Sequence, residues 1–235
     1  MKANPHVSRQ DLSSLELFEG LPASVLDDVI AVTRCHSLAR DFRIFNQGDE
    51  QVRAHLLIEG SVRISQTGSD GGQIVVRFIG PGEIFGAIAL FTDGKYPADA
   101  DTMTDAIEIS WSEADLLRLM SVHSQIAINA LKIVGKRIQE AQNRLRELST
   151  QPVERRIAHA LHRLSQQAGR NTPDGVKIGF PLRRKDIADI CGTTLFSVSR
   201  VLTSWEKAGW LSTRDQYLTI AKLSEIQRVG DKDAP

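Results

Sequence analysis

RRKDIADICGTTLFSVSRVLTSWEKAGWL, residues 183–211, is the stretch whose reading decides the fold. Ala188, Gly192 and Val198 stand at offsets of 4 and 6. Two helices that cross closely need a small residue at the crossing. They also need a residue tolerant of left-handed backbone in the turn, and a branched residue locking the second helix to the first. The spacing supplies all three in order. Ile187, Ile190, Val201, Leu202 and Trp205 provide a shared apolar core, and Thr193 or Thr194 is placed to cap the second helix. The outward face of that helix then carries Phe196, Ser199, Arg200 and Thr203. An exposed Phe beside an Arg makes a poor bare surface. It suits a DNA major groove, where Arg reads guanine and an apolar ring touches a thymine methyl. Phe196, Ser199 and Arg200 are therefore the expected base readers. Arg183, Arg184 and Lys185 before the first helix, with Thr194 and Ser197 at the start of the second, suit phosphate contacts. An ordinary helical hairpin is the plain alternative, and the flanking sequence weighs against it.

Downstream, LSTRDQYLTI (211–220) reads as a hairpin with Arg214, Asp215 and Gln216 at its tip, a wing beside the helix pair. The tail VGDKDAP is expected to be disordered. Upstream, Ser149-Thr150 with Pro152 marks a break and a new helix start. Ile157, Ala160, Leu161 and Leu164 follow on one helical face, which Gly169 ends. Residues 170–182 hold a Pro-Asp-Gly turn and a short strand.

Before this region runs SVHSQIAINALKIVGKRIQEAQNRLRELS (121–149), which contains no Pro. Its residues Ala127, Leu131, Val134, Ile138, Ala141, Leu145 and Leu148 recur in steps of 4 and 3, an a/d heptad over three repeats. So narrow an apolar stripe predicts a two-stranded dimer helix, whereas a helix buried within one domain shows a wider one. From Ser37 to Trp111 the period falls to two. FRIF (42–45), AHLLIEG (54–60), SVRIS (61–65), QIVVRFIG (73–80) and AIEISW (106–111) are short and rich in β-branched residues, with Gly-rich turns between them. These strands predict an antiparallel roll with a small-molecule pocket at its open end. Residues 11–35 read as two short helices, with Gly20 between them and Pro22 starting the second.

Composition narrows the function classes. With 235 residues and 41% hydrophobic content, the chain suits two modest globular domains. No run of apolar residues is long enough to span a membrane, and the start MKANPHVSRQDLSS lacks an apolar signal core, so a cytoplasmic protein is expected. Cys35 and Cys191 are too few for a disulfide framework, a zinc site or an iron–sulfur cluster. Net charge is zero, but from Ser149 onward 14 Lys+Arg face 9 Asp+Glu. That excess fits nucleic-acid binding confined to the C-terminal end. No nucleophile–base pair or metal-ligand spacing points to catalysis, and His55 alone does not make a cupin-like metal site. A haem needs only one or two axial ligands, so the six histidines leave that cofactor open.

RIFNQGDEQVRAHLLIEGSVRI (43–64) followed by GPGEIFGAIALF (80–91) resembles the cyclic-nucleotide-binding fold of the CRP/FNR family of regulators. With the helix-turn-helix, the resemblance extends over residues 11–225. It implies an α+β fold, with a β-roll sensor and N-terminal helices over 1–111 and a dimerisation helix over 112–149. A winged helix-turn-helix follows over 150–235. It also implies an effector pocket around Gly86, Ala87, Ile88, Pro97 and Ala98. In cyclic-AMP-binding members, a Glu holding the ribose and an Arg-Ser pair holding the phosphate fall where this chain has Ala87, Pro97 and Ala98. Two hydroxyl residues over the adenine are replaced by Ala141 and Gln142. Those losses argue against cyclic AMP, and the N-terminal cysteine cluster of the FNR branch is missing too. The FNR branch commonly reads DNA with Glu, Ser and Arg, so Phe196 departs from its pattern. GTTLFSVSRVLTSWE (192–206) and STQPVERRIAHAL (149–161) look most like the branch that regulates nitrite and nitric oxide reductase genes. The resemblance thus implies a homodimer on an inverted repeat of double-stranded DNA, with RNA polymerase as a further partner. An effector would shift the DNA domains about residues 149–152. The rival class is a ligand-binding regulatory subunit of the same roll with no DNA role.

Overall fold

A computed structural model describes residues 7–231, and they form two units. The first gathers the chain up to Ile64 with Ile79–Gln142, and the second gathers Ser65–Phe78 with Asn143 onward.

The first unit opens with helix α1 (Arg9–Ser13), started by a capping box in which Ser8 accepts from Asp11 N–H and the Asp11 carboxylate accepts from Ser8 N–H. A 3₁₀ turn at Glu16–Phe18 and α2 (Ala23–Val32) follow. Residues 34 and 35, expected in the second helix, instead begin strand β1 (Arg34–Leu38), because α2 ends in extended backbone at Thr33. The roll continues through β2 (Arg43–Phe45), β3 (Arg53–Glu59), β4 (Val62–Thr67), β5 (Gln73–Ile79), β6 (Ile84–Phe85), β7 (Asp99–Thr102) and β8 (Ala106–Ser112). Two four-stranded sheets result, with orders β1-β8-β3-β6 and β2-β7-β4-β5. Strand β7 reads DADT, so no apolar alternation announces it. Its place is set by ion pairs, Arg43 with Asp99 at 2.9 Å and with Asp101 at 2.5 Å, and Arg63 with Asp101 at 3.3 Å.

The two central strands of the first sheet, β3 and β8, are buried on both faces. Ala54, Leu56, Ile109 and Trp111 pack outward against Leu12, Leu17, Phe18, Leu26, Val29, Leu116 and Leu119 of the helices. Leu57 faces the roll interior with Phe45, Val62, Ile79, Phe85 and Tyr96. Phe18 meets Trp111 edge-on at 5.4 Å, a favoured aromatic geometry.

The single helix expected over 112–149 is two helices. Helix α3 (Glu113–Val122) is capped by Ser112 and stops at His123, whose backbone leaves the helical region, and α4 runs Ser124–Thr150. Within the first unit α4 turns Ile126, Asn129 and Ile133 inward. The predicted seam faces the other way. Ala127 is half-buried, and Leu131, Val134, Ile138, Ala141, Leu145 and Leu148 are exposed. No helix among the described residues is long and apolar enough to cross a membrane.

The second unit comprises α5 (Val153–Ala168), hairpin β9 (Gly169–Thr172) and β10 (Gly175–Ile178), α6 (Arg184–Ile190), α7 (Leu195–Lys207), hairpin β11 (Leu211–Arg214) and β12 (Tyr217–Ile220), and α8 (Leu223–Asp231). The two hairpins join in one sheet, β11-β12-β10-β9. Helix α8 corrects part of the expected disordered tail. Val229–Asp231 finish a helix whose Gly230 lets the backbone close on His159, where an added Cβ would come within 3.1 Å of the ring. Residues 232–235 lie outside the described residues. The tip of β4–β5 belongs to this unit. Val75 N–H donates to Asp189, Arg144 donates to the carbonyls of Val76 and Ile190, and Phe78 packs on Phe180 at 4.6 Å.

Asn129 is buried, and its amide donates to the carbonyls of Leu17 at 3.2 Å and Glu19 at 3.0 Å. This polar clasp holds α4 to the N-terminal turn. Asn129→Leu should leave the buried Leu17 carbonyl unpaired and free the Glu19 carbonyl of its partner, at a cost of about 1–3 kcal/mol, read as a lower midpoint in urea unfolding.

Candidate nucleic-acid interface and sensor interior

The turn between α6 and α7 is built as the spacing requires. Ala188 is buried at the crossing, Gly192 takes φ +56°, and Val198 is fully buried. The turn closes with Thr193 N–H donating to the Ala188 carbonyl at 2.9 Å. Thr194, rather than Thr193, caps α7, its hydroxyl accepting from Ser197 N–H at 3.2 Å. Helix α7 buries Val198, Val201, Leu202 and Trp205. Phe196 is 78% exposed, Arg200 is exposed, and Ser199 is half-buried beside them, so the three expected readers share the outward side. Arg200 makes no ion pair among the described residues. The wing turns through Asp215 and Gln216, both with positive φ, as a two-residue hairpin connection of this twist demands.

The expected phosphate contacts are more constrained than the sequence suggests. Arg183 bonds Asp186 in a capping box, Lys185 pairs with Asp189, and Arg184 meets Glu206 at 3.1 Å and Thr203 at 3.3 Å. Glu206 also accepts from Thr213 at 2.9 Å, which links α7 to the wing. Thr194 and Ser197 bond each other at 3.1 Å. A phosphate would therefore share or displace an internal partner at each of these residues. Two residues of this surface escape sequence reading. Leu195 is half exposed beside Phe196, and its adjacency was the available signal. Glu206 has no local signature, because its role depends on the wing folding back.

Cys191, just before the turn, donates weakly to the Arg156 carbonyl, and burial pushes its thiol up to about 11. It is an un-ionised, inert group at neutral pH. Cys35 is half-buried, and burial raises its thiol as well.

In the roll, strand register gathers a polar set that the linear sequence disperses. His36 on β1 lies directly across from Glu108 on β8, and His55 on β3 sits diagonally on the same face. Glu108, buried, takes His36 Nδ1 at 3.0 Å and His55 Nδ1 at 2.6 Å. The Nε2 of His55 lies 3.0 Å from the Tyr96 hydroxyl, which accepts from Arg53 N–H and donates to the Arg53 carbonyl. Arg53 in turn reaches Ser110 at 3.1 Å.

The ring of Tyr96 stacks on Phe45 at 3.7 Å, and Phe85 stacks on His55 at 5.2 Å. These rings occupy the roll interior. The expected pocket residues are scattered around them. Gly86 takes φ +71° ahead of a 3₁₀ turn at Ala87–Phe91, Ala87 is half-buried, Ile88 and Pro97 are exposed, and Ala98 is buried. A cleft of about 260 Å³ in this unit lies elsewhere, lined by Glu16, Glu83, Ile133, Lys136, Arg137 and Glu140. Both ring nitrogens of His55 are engaged, and His123 bonds Asp28 at 3.0 Å. Among the described residues no group of three His, Cys, Asp or Glu is arranged to hold a metal ion.

His55→Phe keeps a ring among Phe45, Phe85 and Tyr96 but leaves Glu108 buried with His36 alone. The expected loss is about 1–3 kcal/mol, seen as a lower thermal midpoint by circular dichroism. His36→Ala, at a half-exposed site, should lose less than half as much.

Comparison with known proteins follows this geometry. Residues 27–123 match the family model of a cyclic nucleotide-binding domain, and residues 155–229 match that of a Crp-like helix-turn-helix domain. The chain is 29% identical to the Cyclic AMP receptor protein of Thermus thermophilus over 193 residues, covering 82% of this chain and 86% of that one. It is 22% identical to a CRP-like cAMP-activated global transcriptional regulator of Mycobacterium tuberculosis, covering 92% and 97%. Among solved structures, FixK2 from Bradyrhizobium japonicum superposes with a TM-score of 0.73 at 20% identity, over 86% of this chain and 100% of that one, a likeness in fold.

Proposed function

We propose that this chain, which belongs to the CRP/FNR family of transcription regulators, acts as a homodimer that binds an inverted repeat of double-stranded DNA. The observation that carries the reading is the outward face of α7, where Phe196 and Arg200 stand exposed above a closed apolar core. Arg200 reads a guanine, Phe196 and Ser199 contact neighbouring bases, and Arg183, Arg184, Lys185, Thr194 and Ser197 seat the backbone. Two reading helices on one dimer must enter grooves on one face of the duplex, so half-site centres lie about 34 Å apart. RNA polymerase is the further partner by family resemblance.

The roll is the sensor, and its effector is not a cyclic nucleotide in this reading. Ala87, Pro97 and Ala98 offer no carboxylate or guanidinium to a ribose or cyclic phosphate, although the two relatives above are described as cAMP proteins. The signal belongs to nitrogen-oxide or low-oxygen respiration, which rests on the likeness of residues 149–161 and 192–206 to the nitrite and nitric oxide reductase regulators. The effector shifts the population of DNA-competent dimers, with Gln151 and Pro152, the two residues between α4 and α5, as the pivot.

The dimer forms through the exposed seam of α4. Changing Leu131 and Ile138 together to Asp should place carboxylates in a buried seam at a cost of several kcal/mol, and analytical ultracentrifugation should then show monomers. A persistent dimer places the interface elsewhere.

DNA binding is tested by gel shift on genomic fragments, then by randomised-site selection and salt titration. Arg200→Ala should cost about 1–3 kcal/mol per half-site and relax preference at one base pair. Arg184→Ala should weaken all sequences alike and lower the salt slope by about one. A protein that binds no fragment is a regulatory subunit without a DNA role. Uniform weakening by Arg200→Ala makes that residue a phosphate contact.

A further inference from the structure

We infer that Leu195 and Phe196 act together as a methyl-reading step, so each half-site is selected for 5-methylpyrimidines. Thymine is taken at this step, cytosine is refused, and 5-methylcytosine is admitted in thymine's place. The inference rests on the DNA-binding reading above and adds Leu195 as a residue that determines specificity.

Leu195 is 50% exposed and Phe196 78% exposed, at the first two positions of α7. They are not overflow from the domain core, because Val198, Val201, Leu202 and Trp205 already close it. Side chains on a helix lean toward its N-terminus, so first-turn residues project past the helix start. That end of a recognition helix is the one whose side chains touch base edges.

The hydroxyls nearby cannot serve as readers while the helix is capped. Thr194 accepts from Ser197 N–H and shares a hydrogen bond with the Ser197 hydroxyl. The first turn therefore offers the groove apolar surface, flanked one turn on by Arg200, which has no ion pair among the described residues.

The chemistry of the bases then sets the preference. In the major groove thymine presents a 5-methyl group, whereas cytosine presents an amino donor and no methyl. An apolar pair pressed onto cytosine leaves that donor unpaired and gains no methyl contact. A methyl at C5 of cytosine restores the apolar contact while the amino group still goes unmet. The expected order is thymine first, 5-methylcytosine second and cytosine last.

The test replaces single atoms in the DNA. After selection has defined the half-site, each thymine is exchanged in turn for uracil, which removes only the 5-methyl group. One or two of these exchanges should weaken the unaltered protein about fourfold each, as expected for losing one buried methyl contact. Replacing those thymines by cytosine should weaken binding more, and 5-methylcytosine should recover part of the loss. In the Leu195→Ala/Phe196→Ala protein, thymine and uracil operators should bind alike, with the salt slope unchanged. Specific binding by the unaltered protein that ignores every uracil exchange overturns the inference. So does a double variant that still distinguishes thymine from uracil at the same positions. Absence of specific binding to any sequence removes the DNA-binding reading itself, a result distinct from both.

Discussion

Strands β3 and β8 are covered on both faces, and that constraint governs the rest of the N-terminal unit. With helices packed on Ala54, Leu56, Ile109 and Trp111, and the roll interior on the other side, a polar side chain on these strands has no water to turn to. Every polar group there must find a partner in the protein. Glu108 solves this by sitting between two imidazoles, and His55 extends the chain to Tyr96 and the backbone of Arg53. Tyr96 is drawn inward by the same bonds and stacks on Phe45. One hydrogen-bonded network thus ties together β1, β3, β8 and the loop before β7.

This set adjoins residues 86–98, where the resemblance places an effector pocket. Tyr96 immediately precedes Pro97 and Ala98, and the backbone at Gly86 passes so close to Tyr96 and His55 that an added Cβ would meet them at 3.0 and 3.1 Å. Gly86 also needs its positive φ, so a side chain there is disfavoured twice. A ligand acting on residues 86–98 would therefore act on the Glu108 network as well.

What the sequence could and could not reveal follows from the range of the interactions. The helix-turn-helix was legible because its determinants are local. Ala188, Gly192 and Val198 lie within eleven residues, and each does one geometric task. Strands β3, β5 and β8 were legible by alternation. Strand β7 was not, since Asp99 and Asp101 are buried only because Arg43 and Arg63 meet them across the sheet. Helix α8 was missed because its burial depends on His159 and α5, seventy residues earlier. The outward face of α7 was visible in advance, whereas the carboxylates that hold Arg183, Arg184 and Lys185 were not. Asp186 and Asp189 were within one helical turn and could have been, whereas Glu206 required the tertiary fold.

Exposed apolar surface in the described residues is not spread evenly, and its arrangement separates two kinds of partner. Six of the fourteen large exposed hydrophobics lie on α4: Ile128, Leu131, Val134, Ile138, Leu145 and Leu148. Five of these belong to one heptad line, while the opposite stripe of Ile126, Asn129 and Ile133 is already packed. A continuous line along a helix is satisfied only by an equally long apolar line, which in solution means another helix. Leu195 and Phe196 make a different pattern, two neighbours at a helix start with polar residues around them. So small a patch cannot hold a protein partner by area, because stable interfaces need many times its surface. It can discriminate inside a contact held by charge, where a single methyl group shifts the balance and the phosphates supply the attraction. On the proposed reading, the same physical property, apolar surface left in water, serves affinity where it is extended and specificity where it is a point.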